Sequence, residues 1–182
     1  MLQLHIPEVE GYDEKKEEFT VIEPAVTLQL EHSLVSLSKW ESKWCEPFFR
    51  KKEHTFEQTL DYIKCMTVTP TNVKPEVYNR LTKKHIDQIY EYINAPMTAT
   101  TFREPQKGKG SSEMVTSELI YYWMVAYNIP FECQKWHINR LLTLVRVCEV
   151  KNQPSKKMGG TKVATDYAAL NKARRAKLNT KG

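Results

Sequence analysis

A chain of 182 residues with 41% hydrophobic content is long enough to bury a core and suits one globular domain with an appendage. It contains no run of eighteen apolar residues and no basic-then-apolar leader, which points to a soluble protein outside the usual export route. The net charge of +5 is unevenly spread: residues 151–182 hold nine of the 27 basic residues but one of the 22 acidic ones, so a mildly acidic body precedes a strongly basic tail.

Leu2, Leu4 and Ile6, then Phe19 and Val21, then Val26, Leu28 and Leu30 alternate with polar neighbours, the period of half-buried strands. Residues 7–18 (PEVEGYDEKKEE) are polar and turn-rich, as an exposed hairpin loop would be. A small antiparallel element of two or three strands is therefore predicted over residues 1–31. After Glu31 the period changes. Leu34, Leu37, Trp40 or Glu41, and Trp44 follow helical spacing, with Ser33 placed to cap through its hydroxyl and Pro47 as the boundary. Thr55-Phe56-Glu57-Gln58 fits a capping box that opens a second helix, with Phe56, Leu60 and Ile63 on one face. Residues 67–74 read as a loop, and Pro75 suits the first turn of a short helix. Thr82 caps another, with Ile86, Ile89 and Ile93 on its buried side and Pro96 at its end. Residues 97–112, with Pro105, Gly108, Gly110 and paired serines, form a long loop, at whose end Ser112 can cap the next helix.

The stretch 116–150 reads as two helices joined at an Ile129-Pro130-Phe131 elbow, because proline disfavours the α region for its predecessor and lacks the amide a helix interior needs. Leu119, Ile120, Trp123, Met124 and Tyr127 form one apolar face; Ile138, Leu141, Leu142, Val145 and Cys148 form the other. A short connection favours an antiparallel pair, expected at the centre of the core. Residues 154–160 look like a linker, and 166–178 (DYAALNKARRAKL) like a basic, alanine-rich helix with too few apolar residues to fold alone. The expected fold is mainly α within the α+β class. It comprises an N-terminal β-element (1–31), a helical body of the same domain with a central hairpin (32–152), and a flexible basic tail (153–182).

Chemistry-bearing constellations are sparse. Cys45, Cys65, Cys133 and Cys148 form no C-x-x-C pair and read as reduced thiols in a cytosolic protein. Cys133 and His137, four apart, would share a helix face and could place two ligands on zinc, but no second pair follows, and a buried thiol beside a helix-surface histidine is the alternative. There is no G-x-S-x-G elbow. Gly108-Lys109-Gly110-Ser111-Ser112 lacks the first glycine, the preceding strand and the residue order of a phosphate loop. No enzymatic activity, metal or cofactor is expected. The aromatic residues are concentrated on one helix and around the elbow, where they serve either core or interface, and Tyr121 and Tyr122 cannot both face inward with Trp123. Trp40, Trp44, Tyr121, Tyr127 and Trp136 are the candidate partner-binding residues. In the tail, Lys156, Lys157, Arg174, Arg175 and Lys177 could contact phosphates of a nucleic acid, or belong to a solvated tail or one that folds on an acidic partner; no nucleic-acid reader motif accompanies them.

The order of these features carries a resemblance. A strand leading into residues 30–41 (LEHSLVSLSKWE), the Ile129-Pro130-Phe131 elbow between helices with Trp136 and Leu141-Leu142-Thr143-Leu144, and the Ala173-Arg174-Arg175-Ala176-Lys177-Leu178 end resemble tail assembly chaperones of long-tailed bacteriophages over most of the chain. The resemblance implies a non-enzymatic role in virion morphogenesis, in the host bacterial cytoplasm. Members of that family coat the aggregation-prone tape-measure protein before the tail tube polymerises around it. Many are also made in a longer, frameshifted form that recruits the tube protein, so the tape-measure protein and the major tail tube protein are the implied partners. A holdase of this kind needs exposed apolar surface and multivalency, which makes a homo-oligomer the expected state; no membrane is involved. The basic tail is a departure that the role does not require. A head–tail connector or completion protein of the virion, and a nucleic-acid-binding protein acting through the tail, are the alternative readings.

Overall fold

A computed structural model describes residues 1–14, 17–50, 53–102, 114–152, 168–171 and 174. The fold is mixed α+β. In chain order it runs β1 (Leu2–Ile6), β2 (Val9–Asp13), β3 (Glu18–Glu23), β4 (Val26–Leu30), α1 (Leu34–Trp44), α2 (Phe56–Met66), β5 (Thr67–Thr69), α3 (Pro75–Asn79) and α4 (Lys83–Asn94). Then follow α5 (Ser117–Ala126), a 3-10 turn (Phe131–Lys135) and α6 (Ile138–Asn152). The chain divides into a compact unit, Met1–Glu149, and a second, Val150–Gly182, in which residues 168–171 and 174 are helical and exposed.

β1, β4 and β5 form one antiparallel sheet in that order, with Leu2 opposite Leu30, Leu4 opposite Leu28 and Ile6 opposite Val26. The period of two puts Leu4, Ile6, Leu28 and Leu30 on one buried face. That face packs with Trp40, Tyr62, Ile63, Met66, Ile89 and Tyr92 in a first core cluster. A second cluster joins Leu34 and Leu37 to Ile120, Met124, Ile129, Ile138, Leu141 and Val145. Each such side chain contributes about 1.5–3 kcal/mol relative to exposure. α1 is common to both clusters. It, and not residues 116–150, is the element on which the core is centred.

Helix starts follow the local chemistry. Ser33 Oγ accepts from the Ser36 amide (3.3 Å) while Ser36 Oγ accepts from the Ser33 amide (2.9 Å). Thr55 with Gln58 and Thr82 with His85 close the same reciprocal box, which satisfies amides that a helix start leaves orphaned. Pro75 opens α3 as expected, and α4 ends at Asn94, just before Pro96.

Four expectations are corrected. Residues 7–18 are not simply a loop: Val9–Asp13 pairs with β3 in a separate two-stranded ribbon, Tyr12 opposite Phe19. Thr67–Thr69, read as loop, adds β5 to the edge of the sheet. Phe56 is exposed, and Gln58 and Asp61 are buried on α2: the Gln58 side chain accepts from the Thr55 amide (3.0 Å) and Arg50 Nη2 (2.7 Å) and donates to Glu46 Oε2 (2.9 Å), its carbonyl accepts from Trp40 Nε1 (2.9 Å), and Asp61 Oδ2 accepts from Trp44 Nε1 (3.0 Å). The N-cap of α5 is Thr116, whose hydroxyl accepts from the Leu119 amide (3.4 Å), in place of Ser112, which lies outside the described residues.

Candidate interaction surface

The sequence of α5, SELIYYWMVA, is apolar around most of its circumference, the pattern of a helix covered on more than one side. One face is covered from within: Ser117, Ile120 and Met124 are buried, and α5 packs on α1. The opposite face carries Glu118, Tyr122, Val125 and Ala126, all exposed, Tyr122 at 65% and Val125 at 60%. Phe131, which opens the 3-10 turn, is 54% exposed, with its ring 6.5 Å from that of Tyr121.

Both ends of α5 are fixed, so this face has a set orientation. At the start, the buried Glu41 of α1 accepts from the Ser117 amide through Oε2 (2.7 Å) and from the Phe48 amide through Oε1 (2.8 Å). A carboxylate there makes charge-assisted bonds and complements the helix dipole. At the finish, the Ile129 amide donates to the Met124 carbonyl (2.8 Å) and the Asn128 amide to the Val125 carbonyl (3.2 Å). With Asn128 left-handed at φ 51, this is a Schellman stop, sealed by Ile129 and Met124 in the same cluster and followed by Pro130.

The aromatic residues singled out by the sequence fall into two groups. Trp40 is fully buried in the first cluster, so its assignment to partner contact is corrected: it is a core residue. Trp44 is half-buried, stacked on Trp40 at 6.2 Å and tied to Asp61. Tyr121, Tyr127 and Trp136 are half-buried around the second cluster. Tyr121 Oη donates to Gln134 Oε1 (2.9 Å), and burial holds this phenol above its usual pKa. Tyr127 and Trp123 line a groove of about 260 Å³ with Leu142, Val145, Arg146 and Glu149. The Arg140 guanidinium lies 4.1 Å from the Trp136 ring centroid, a cation–π contact. The exposed member of the Tyr121–Tyr122 pair is Tyr122. The sequence reading did not single out Tyr122, Val125 or Phe131, although the low polar content of α5 was the available signal for an exposed apolar face. Of the basic residues, Arg174 is exposed; Lys156, Lys157, Arg175 and Lys177 lie outside the described residues, as do 103–112 of the long loop.

Cys133 and His137 do not share a helix. Cys133 sits buried in the 3-10 turn, and His137, expected on a helix surface, is buried just before α6. His137 Nε2 donates to the Tyr92 carbonyl (3.1 Å), and its ring stands 5.0 Å from His32. His32 Nδ1 lies 2.5 Å from Tyr62 Oη. Burial, and then the neighbouring His137, lowers the His32 pKa to about 3; burial lowers His137 as well. Both rings are therefore neutral at pH 7 and tie the start of α1 to the start of α6. Among the described residues no three His, Cys, Asp or Glu side chains converge to hold a metal, and no helix is long and apolar enough to cross a membrane.

Compared with known proteins, the chain matches no protein-family model, no curated protein sequence and no solved structure.

Proposed function

We propose that this protein is a tail assembly chaperone of a long-tailed bacteriophage, a non-enzymatic holdase for the tape-measure protein in the host bacterial cytoplasm. The observation that carries the reading is the outer face of α5, where Tyr122 and Val125 stand exposed on a helix pinned at both ends. A helical client presents apolar side chains at three- and four-residue spacing, and a rigid helix face with anchors three apart is suited to meet them. Aromatic anchors bury large area at small entropic cost. A patch this small binds weakly in one copy, which fits a chaperone that must leave; many copies along one client supply the avidity.

The segments that carry the family resemblance support the same assignment. Residues 30–41 include most of α1, against which α5 is held, and Ile129-Pro130-Phe131 follows the stop that ends α5. In this proposal α5 and α6 act together as the helical hairpin of the family, with Tyr121, Tyr127 and Trp136 bracing the contact face. Residues 153–182, basic in sequence, are the part this proposal assigns to the tail tube protein.

The test is co-expression with the tape-measure protein of the same phage, followed by size exclusion and mass analysis. The client should become soluble only in the presence of this chain and co-elute with many copies of it, and purified virions should contain little or none. Abundance in virions with the client insoluble would favour the connector reading. Salt-sensitive DNA affinity lost on deletion of residues 156–181 would favour the nucleic-acid reading.

A further inference from the structure

The ribbon formed by β2 and β3 stands off the body: its strands contact chiefly each other. It is nonetheless a built feature. Arg80 of the α3 C-cap clamps its base, donating to the carbonyls of Pro7 (3.2 Å) and Pro24 (3.2 Å) and pairing with Glu23 (3.1 Å). At Gly11 an added Cβ would come within 2.3 Å of Ile22 Cδ1, the end of an exposed side chain that can turn aside.

The arm is also apolar where it meets water. Tyr12 and Phe19 face each other with rings 5.3 Å apart, and Val21 follows two residues on, on the same face. All three are exposed, Phe19 at 72%. An isolated two-stranded ribbon is marginal in water, and a patch of this kind marks an interaction surface. Residues 8–23 hold seven acids against two lysines, so the complementary surface is apolar and basic.

Such a surface exists on the same protein. A groove of about 660 Å³ is bordered by α1, α2 and the edge strand β5. It offers Val35, Val68 and Val73 beside Lys39, Lys64 and Lys135, and among the described residues none of these lysines is in an ion pair. We propose that the acidic β2–β3 arm of one copy docks in the basic groove of a second copy. Arm and groove are different surfaces, so the contact is head-to-tail and propagates into a ring or a filament. The client's identity plays no part in this inference.

Sedimentation velocity of the full-length protein at up to roughly 100 µM, where micromolar association is populated, provides the test. The wild type should form species larger than a monomer. Association should fall about tenfold or more in about 1 M salt, where the screening length shrinks to about 3 Å. Phe19→Lys/Val21→Lys in the arm and Lys39→Glu/Lys64→Glu in the groove should each weaken self-association by about tenfold or more, with the unfolding midpoint unchanged. Should the arm substitutions disturb strand pairing, Glu14→Lys/Glu18→Lys reverses charge at the turn and on the face opposite Phe19 and Val21, leaving the apolar face intact, and carries the same expectation. An equimolar mixture of arm and groove variants, each retaining the half that the other lacks, should give heterodimers and nothing larger. A wild type that stays monomeric, an arm variant that associates normally, or a mixture that stays monomeric would overturn the proposal. So would an arm variant that keeps its oligomeric state but no longer holds the tape-measure protein, since the arm would then belong to the client. Failure of the proposed function reads differently: the client stays insoluble while self-association is intact.

Discussion

α1 and α5 pack on each other yet dispose of their large side chains in opposite ways. α1 buries Leu34, Leu37 and Trp40 and turns Lys39, Ser42 and Lys43 to water, the amphipathic division that folding alone requires. α5 buries Ile120 and Met124 and still presents Tyr122 and Val125 outward. Trp40 and Tyr122 look alike as aromatic residues on helices, but one completes a core and the other has nothing within the compact unit to cover it. The difference separates residues that build the protein from residues free to bind.

The contrast is tested first at its buried end. Trp40→Ala should cost about 4 kcal/mol in urea unfolding, from lost burial, a residual cavity and the lost indole bond to the Gln58 carbonyl. A loss below about 1 kcal/mol would remove Trp40 from the core. Next comes the link between the two helices. Glu41→Ala strips the Ser117 and Phe48 amides of their acceptor and should cost about 2 kcal/mol, with hydrogen exchange accelerating at the start of α5 before the rest of the helix.

A smaller effect is expected from acid. His32 in the folded state has a pKa of about 3, below the value near 6.5 of an unfolded histidine, and His137 is depressed in the same direction. The unfolded chain therefore binds more protons in this window. The stability contributed by keeping the rings neutral is complete above about pH 6.5 and declines as pH falls from there toward 3. The unfolding midpoint should drop across that range, and His32→Gln should flatten the slope. An unchanged slope in that variant would place the acid sensitivity elsewhere.

The parts of the fold legible in the sequence are those decided within a few residues. Ser33, Thr55 and Thr82 announce their helices because a capping hydroxyl acts on an amide three positions away. Pro75 and Pro130 mark a start and a stop for equally local reasons. The strand pairs of β2 and β5 were not legible, since their partners are chosen by tertiary context and their sequences are short and polar. The same holds for Gln58 and Asp61: Glu46 and Arg50 engage the first side chain and the Trp44 indole the second, partners that no local pattern in α2 announces. His32 and His137 meet across the junction of two clusters that no local pattern connects. For the candidate site, sequence pattern pointed to the neighbourhood of the elbow. The division of its aromatics into core, brace and exposed face depends on the rotation of α5 on α1, set by Glu41 and the Schellman stop.

The most direct measurement is the co-expression assay repeated with Tyr122→Ser/Val125→Asp. Both positions are exposed, so the variant should fold with stability within about 0.5 kcal/mol of the wild type. The outer face of α5 as client site predicts that the tape-measure protein, soluble with the wild type, goes to the pellet with this variant. A client kept soluble as well by the folded variant would contradict that claim.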